Sequence, residues 1–406
     1  MKIKTGKGTI SLVSLLAIWS VSAVVSLPGL AVSPIMGDLT RIFPHSSDLE
    51  IQMLASLPSL LIVPFVLLSG RLSIHGDKLR LLFVGLGLFF ISGVLFLFAR
   101  SMTMLIVLSS ILGIGGGIVI PLSTGLVADY FSGPYRTRQL GLSSAINNLS
   151  LVLASLLTGW LAQRDWHYPF AVYLLPGITI VLCLFLRREK PARVLPTVGP
   201  ASGVTDGHRY RRWLAGLMVL HFFTTYSVLA IDLYLPFLVE SYGMKPAVSG
   251  MLISVFFLAI TLPGFFLNRM LRVMRDLVTF WSLGLMTVGL LLSVASHGMW
   301  AMLSGCVIGG FGYGVLQPLI YEKTADIAPP GRSTMALSLV MSVNYLAILV
   351  CPFIVDFVRR LFHTESNVFP FLMNAVLTAL VALWAYFERR RFVYGLDSKY
   401  FKRAYE

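Results

Sequence analysis

Charge is scarce in this chain, and acid is scarcer than base: only 12% of the 406 residues are charged, with 18 Asp and Glu against 32 Lys and Arg. Apolar residues make up 56% instead, at a mean hydropathy of +0.82. No soluble fold hides that much apolar surface. Cysteine is rarer still. Cys183, Cys306 and Cys351 each fall inside an apolar run, where a thiol behaves as a small hydrophobe, so a disulfide framework is not expected. Long polar stretches are also few, which leaves no room for a soluble catalytic or nucleotide-binding domain. The sequence contains no G-x-x-x-x-G-K-[ST], H-E-x-x-H or G-x-S-x-G and no paired metal ligands in any span. These absences argue against an enzyme, against ATP-driven transport within this chain and against a resident cofactor or metal.

What is present is a series of apolar runs. A helix rises about 1.5 Å per residue and satisfies its own backbone, so roughly 20 apolar residues cross a hydrocarbon core about 30 Å thick. Twelve such runs are predicted, at 9–35, 51–69, 79–98, 103–127, 140–161, 169–186, 213–238, 249–267, 277–294, 300–320, 335–357 and 368–387. The fold class expected is an all-α membrane protein of twelve transmembrane helices in two pseudo-symmetric six-helix bundles. The one long polar break, 187–212, reads as a linker between an N-terminal bundle at 1–186 and a C-terminal bundle at 213–388, followed by a basic tail at 389–406.

Lys and Arg set the expected orientation, because cationic loops stay on the cytoplasmic side. With the N-terminus inside, 26 of the 32 basic residues are cytoplasmic and only Arg41, Arg100, Arg164, Lys245, Arg359 and Arg360 are outside. Both termini are then cytoplasmic, in a bacterial inner membrane. The net charge of +14 is explained by loops facing an anionic leaflet, and nucleic acid is not an expected partner. Lys2, Lys4 and Lys7 before an apolar run resemble the start of a signal peptide. The run continues too far and offers no A-x-A site, so an uncleaved first helix is expected.

The two halves repeat. At an offset of 197, Ile111, Gly113, Gly115, Gly117, Pro121, Leu122, Ala128, Asp129, Thr137, Leu140, Leu142, Asn147 and Leu149 recur as Ile308, Gly310, Gly312, Gly314, Pro318, Leu319, Ala325, Asp326, Thr334, Leu337, Leu339, Asn344 and Leu346. Paired Pro, Ala-Asp and Asn positions in one ungapped register are not expected by chance. Internal duplication of this kind marks secondary transporters, which rock one repeat against the other. Glycines let neighbouring backbones approach, and prolines at 28, 34, 58, 64, 121, 176, 236, 263, 318 and 352 favour kinks.

Gly113-Ile-Gly-Gly-Gly-Ile-Val-Ile-Pro121 and Ala128-Asp129-Tyr130-Phe131 resemble helix 4 and the following loop of the major facilitator superfamily. Gly70-Arg-Leu-Ser-Ile-His-Gly-Asp-Lys-Leu-Arg80 stands where that superfamily carries G-x-L-A-D-R-x-G-R-K. With the helix count, linker and repeat, the resemblance covers essentially the whole chain and is nearest to the twelve-helix bacterial drug and metabolite exporters. It implies a cytoplasmic gate motif at Gly70, Arg71, Asp77, Lys78, Arg80, Asp129 and Asp326. The family's acidic position in the first loop is Ile74 here, so Asp77 would serve only after a local shift; Arg71, Lys78 and Arg80 are equally readable as simple inside anchors. The exporter R-x-x-Q-G-x-G is replaced, with Ser109 and Leu112 at its polar positions, and the antiporter G-x-x-x-G-P-x-x-G-G keeps small residues without its proline. The scaffold is therefore better supported than proton antiport.

Polar residues inside spans are the candidate site. An ionisable group there costs roughly 2.5 to 3.5 kcal/mol on insertion scales, so it faces a partner or a wet cavity. Asp232 and Glu322 are the candidates for proton coupling; Asp232 also reads as an interfacial carboxylate and Glu322 as one half of a local ion pair with Lys323. Asn147, Asn148, Thr224, Thr225, Tyr226, Gln317, Asn344 and Tyr345 are candidates for a substrate cavity, with Trp19 and His221 as weaker additions. For the two repeated asparagines an interhelical hydrogen bond, worth about 0.6 kcal/mol, is the plainer alternative. Few fixed charges suit amphiphilic substrates. The reading is a proton-coupled exporter of small hydrophobic or amphiphilic compounds, expected to be a monomer in the lipid bilayer. An importer of a nutrient or metabolite on the same scaffold and a non-transporting receptor are its rivals.

Overall fold

A computed structural model describes residues 2–6, 8–28, 42–43, 46, 48–162, 164–186, 207–244, 246–296, 298–329, 332–364 and 366–396. Twelve α-helices are described: α1 Leu12–Val24, α2 Asp48–His75, α3 Lys78–Phe96, α4 Met102–Tyr130, α5 Gly133–Ala162 and α6 Leu175–Leu186, then α7 Gly207–Ser241, α8 Pro246–Met274, α9 Val278–Ala295, α10 Met299–Ile327, α11 Ser333–Leu361 and α12 Phe369–Phe387. A 3-10 helix, Tyr168–Leu174, leads into α6.

Helix starts follow local chemistry. Asp77 caps α3 by accepting from the backbone of Leu79 and Arg80, and Ser101 caps α4 by accepting from Met104. The first helix begins at Leu12 and not at residue 9, because Lys2–Lys4 pairs antiparallel with Thr9–Ser11 in a short hairpin that period-based reading does not see. The last turns of the predicted linker are helical, since α7 begins at Gly207; residues 187–206 lie outside the described residues, as do Pro34, Arg41, Lys7 and Lys245. Of the basic tail, 389–396 is described and 397–406 lies outside.

Ten segments among the described residues are long and apolar enough to cross a membrane. One of them, Val248–Ala295, contains both α8 and α9, and α1 is a shorter apolar helix. The chain's outer surface is apolar: Phe353 is 71% exposed, Trp300 75% and Phe387 78%, an arrangement that water would oppose and hydrocarbon accommodates. All three cysteines are free and buried.

The residues divide into two compact units. Unit 1 comprises 1–132, 146–203 and 328–345; unit 2 comprises 133–145, 204–327 and 346–406. Each unit thus takes one short segment from the other sequence half. Inside unit 1, α4 packs against α2 and α3; inside unit 2, α10 packs against α8 and α9. The glycine ladders make this possible at equivalent points. A Cβ on Gly115 would fall 2.8 Å from the Gly85 carbonyl oxygen, and one on Gly312 would fall 2.5 Å from the Ser282 carbonyl oxygen. Gly85 and Ser282 differ by the same 197 residues as Gly115 and Gly312. Gly113 and Gly117 likewise face α2, at Pro58 and Ile62, while Gly310 and Gly314 face α8, at Phe256 and Ile260. Pro121 and Pro318 sit inside α4 and α10 at matching places.

Candidate functional site

Unit 2 holds a continuous set of polar side chains along one face of α10. Tyr313, Gln317 and Tyr321 recur every four residues and so share that face. Gln317 Nε2 donates to Tyr313 Oη at 3.1 Å and approaches Tyr321 Oη at 3.5 Å, while its Oε1 accepts from Ser144 Oγ at 3.3 Å. The Tyr321 hydroxyl lies 3.4 Å from Nε2 of the fully buried His221 on α7. At the other end Tyr313 bonds Thr225 and lies within electrostatic reach of Asp232. Among the described residues no cation pairs with the Asp232 carboxylate. Proton-bearing groups in reach of one another can relay or redistribute a proton, and the Asp232 end is where a charge on the path would be least compensated.

A charged cluster begins at the residue after Tyr321. Arg136 of α5 pairs with Glu322 at 3.3 Å and with Asp326 at 2.6 Å, and Thr137 also bonds Glu322. Glu322 is 1% exposed and Arg136 11%. The local pairing of Glu322 with Lys323 expected from their adjacency does not form. Consecutive residues point to different sides of a helix, and Lys323 instead donates to the carbonyls of Val393 at 2.9 Å and Gly395 at 3.1 Å.

Not every polar candidate in unit 2 joins this path. Thr224 spends its hydroxyl on the Leu220 carbonyl of its own helix, at 2.7 Å. Tyr226 is buried in an apolar cluster with Leu229, Ala347, Cys351 and Val355.

Unit 1 contains the remaining candidates. Lys78 pairs with Asp129 at 2.6 Å, and Asp129 also accepts from Ser333 Oγ at 3.2 Å. Asp77 is occupied as the cap of α3 and by Arg80 at 3.3 Å, both exposed. Arg71 is exposed, and Gly70 abuts Ser338. Asn148 is buried; Asn147, half-buried, has an Oδ1 that accepts no hydrogen bond among the described residues. Asn344 and Tyr345 are half-buried, and neither is without a partner.

Tyr313, Tyr321 and Arg136 were not singled out from the sequence. The two tyrosines carried a signal, the four-residue spacing around Gln317. Arg136 carried one too, since its counterpart in the repeat is the neutral Ser333.

Comparison with known proteins agrees with this architecture. The profile described as Major Facilitator Superfamily matches residues 10–231 and 217–399. Multidrug transporter protein MdtP of Bacillus subtilis is 32% identical over 161 residues, 39% of this chain and 28% of that protein. Quinolone resistance protein NorA of Staphylococcus aureus is 23% identical over 304 residues, 70% of this chain and 73% of that protein. The match to the Bacillus protein therefore spans less than a third of its length. Among solved structures, the proton:xylose symporter XylE bound to 6-bromo-6-deoxy-D-glucose superposes with a TM-score of 0.71 at 14% identity, covering 92% of this chain and 94% of that one. The human organic anion transporter MFSD10 (TETRAN) gives 0.69 at 17% identity, covering 92% and 96%. These structural likenesses establish the fold.

Proposed function

Because the chain belongs to the Major Facilitator Superfamily, and is a multi-pass membrane transporter of small molecules and not an enzyme, we propose that it is a proton-coupled exporter of hydrophobic or amphiphilic compounds. The observation that carries the reading is the polar path of unit 2. It begins at a carboxylate with no cation partner among the described residues, Asp232, and continues through hydroxyl, amide and imidazole groups to His221. A group that gains and loses a proton while its surroundings change access couples flux to a gradient, provided the two loading states favour different conformations. The drug-related names of the Bacillus and Staphylococcus relatives support export and an amphiphilic substrate. The Lys and Arg distribution supports both termini on the cytoplasmic face of a bacterial inner membrane, and the monomer is taken as the working unit.

The test is transport by full-length protein in proteoliposomes, with norfloxacin and ethidium as probes and an imposed pH gradient. The wild type is expected to move at least one probe in a manner abolished by an uncoupler. Asp232→Asn is expected to retain gradient-independent exchange and lose gradient-driven accumulation. Unchanged accumulation by Asp232→Asn would remove that residue from the coupling, and uncoupler-insensitive transport by the wild type would remove proton coupling altogether.

A further inference from the structure

Where α7 begins and α12 has just ended, the described part of the tail folds back and borders an open-sided cavity of about 890 Å³. Arg209, Arg212, Trp213, Arg390, Arg391 and Phe392 line it. Trp213 and Phe392 stack with ring centroids 4.6 Å apart, and the Arg209 guanidinium lies 4.4 Å over the Trp213 ring. Lys323 holds the tail in place from below through the carbonyls of Val393 and Gly395. Arg391 is paired with Glu388. Among the described residues, Arg209, Arg212 and Arg390 have no carboxylate partner, so three guanidinium groups face one cavity with their charge uncompensated.

The level of this cavity relative to the membrane follows from the helices. The apolar run of α7 starts at Trp213 and α12 ends at Phe387, both of them at the level of the cavity lining. Trp384, 56% exposed, donates to the hydroxyl of Tyr394 in the lining at 3.2 Å, an aromatic placed as such residues are at the boundary between headgroups and acyl chains. Arginine presents paired N–H donors that suit phosphate oxygens, and the positive end of the 35-residue α7 adds to the field.

We propose that this cavity is a binding site for the phosphate group of an acidic phospholipid. The aromatic floor receives the glycerol and upper acyl region while the arginines hold the phosphate. The same guanidinium chemistry would accept free phosphate, but the position at the hydrocarbon edge and the stacked rings favour the lipid.

The experiment is native mass spectrometry of the detergent-purified full chain titrated with phosphatidylglycerol or phosphatidylcholine of matched acyl chains. Each cation near an anionic lipid surface is worth roughly fivefold in binding, so a preference of at least about tenfold for phosphatidylglycerol is expected in the wild type. The triple variant R209Q/R212Q/R390Q is expected to bind both lipids equally. Its Arg→Lys counterpart is expected to keep most of the preference, as is R71Q/R272Q, which removes two basic residues elsewhere. If the triple variant is not monodisperse, Arg212→Gln alone reports the same loss on a smaller scale. A preference unchanged by either Gln variant, or no preference in the wild type, overturns the site. Displacement of phosphatidylglycerol by equimolar inorganic phosphate overturns the lipid assignment.

Discussion

Asp326 accepts an ion pair from Arg136 at 2.6 Å, and at the equivalent place one repeat earlier Asp129 accepts a hydrogen bond from Ser333 at 3.2 Å. Arg136 and Ser333 are themselves related by the offset of 197, so the two contacts are one contact used twice, once in each unit. The symmetry then fails in an informative way. Glu322 corresponds to Gly125, and where Thr137 bonds the Glu322 carboxylate, Thr334 packs directly against Gly125. The second repeat carries a buried acid where the first has Gly125, and the residue opposite that acid is basic where its counterpart is Ser333. Unit 1 has a Gly-Thr contact where unit 2 has a buried acid, and its Asp129 takes its cation from Lys78 while Asp326 takes Arg136.

That replacement predicts a strong coupling of stability. Removing one partner leaves a buried uncompensated charge, so Arg136→Gln or Glu322→Ala is expected to lower stability by about 3 to 5 kcal/mol. The double variant R136S/E322G, which installs the Ser and Gly found at the equivalent contact of unit 1, is expected to regain most of the loss. Thermal unfolding of the purified protein in detergent checks this through a double-mutant cycle. Additive losses in the double variant would mean that the pair does not act as a unit.

The glycine ladders predict a position-specific penalty. Ala at Gly115 or Gly312 places a methyl group within 2.8 Å or 2.5 Å of a carbonyl oxygen on the neighbouring helix, and backbone cannot step aside as a flexible side chain does. Each substitution is expected to cost about 1 to 3 kcal/mol. Gly87→Ala, on α3 with nothing within 4 Å of its added methyl, is expected to be neutral or slightly stabilising. Equal melting temperatures for Gly312→Ala and Gly87→Ala would contradict the close packing of α9 and α10.

Much of this was legible beforehand, and the reasons are physical. Apolar length alone places twelve helices, and an ungapped repeat of Gly, Pro and Asp fixes where the matching contacts must be. Asp77 illustrates what composition cannot decide. A carboxylate just before a helix is already satisfied by the free N–H groups of the first turn, so its resemblance to a latch acid is superseded by its own cap. Thr224 shows the same rule inside a helix, its hydroxyl turned back to Leu220. Arg136 could not be matched to its acid partners from the sequence because they lie 186 and 190 residues away. The N-terminal hairpin escaped because each strand is three residues long, too short to show a period.

The polar face of α10 predicts a split between stability and transport. Tyr313→Phe removes one hydroxyl that Gln317 and Thr225 use, and an interhelical hydrogen bond in a membrane is worth only about 0.6 kcal/mol, so folding is expected to be nearly unaffected. Gradient-driven flux is expected to fall at least about tenfold, because the path beside Asp232 is interrupted. Gln317→Leu is expected to do the same. Dye accumulation in proteoliposomes, compared with melting temperature, separates the effects; flux that falls only in proportion to lost folded protein would assign these residues to packing.

The last relationship concerns Lys323, 1% exposed, whose ammonium group is held by the carbonyls of Val393 and Gly395 and lies 5.7 Å from the Phe392 ring centroid. Hydrogen bonds from a charged donor contribute about 1.5 to 3 kcal/mol, and here both restrain the segment that follows α12. Met matches the length of the lysine stem and fills the same space without donating. Lys323→Met is thus expected to leave the helices intact while the segment opens more often, raising trypsin cleavage after Arg391 by about tenfold or more, since cleavage tracks the population of the opened form. The comparison is made on purified protein under native conditions, with Arg71→Met as a control far from the tail in sequence and exposed. Equal cleavage rates for Lys323→Met and wild type would mean that the stacking of Phe392 on Trp213 is enough to hold the tail without the lysine.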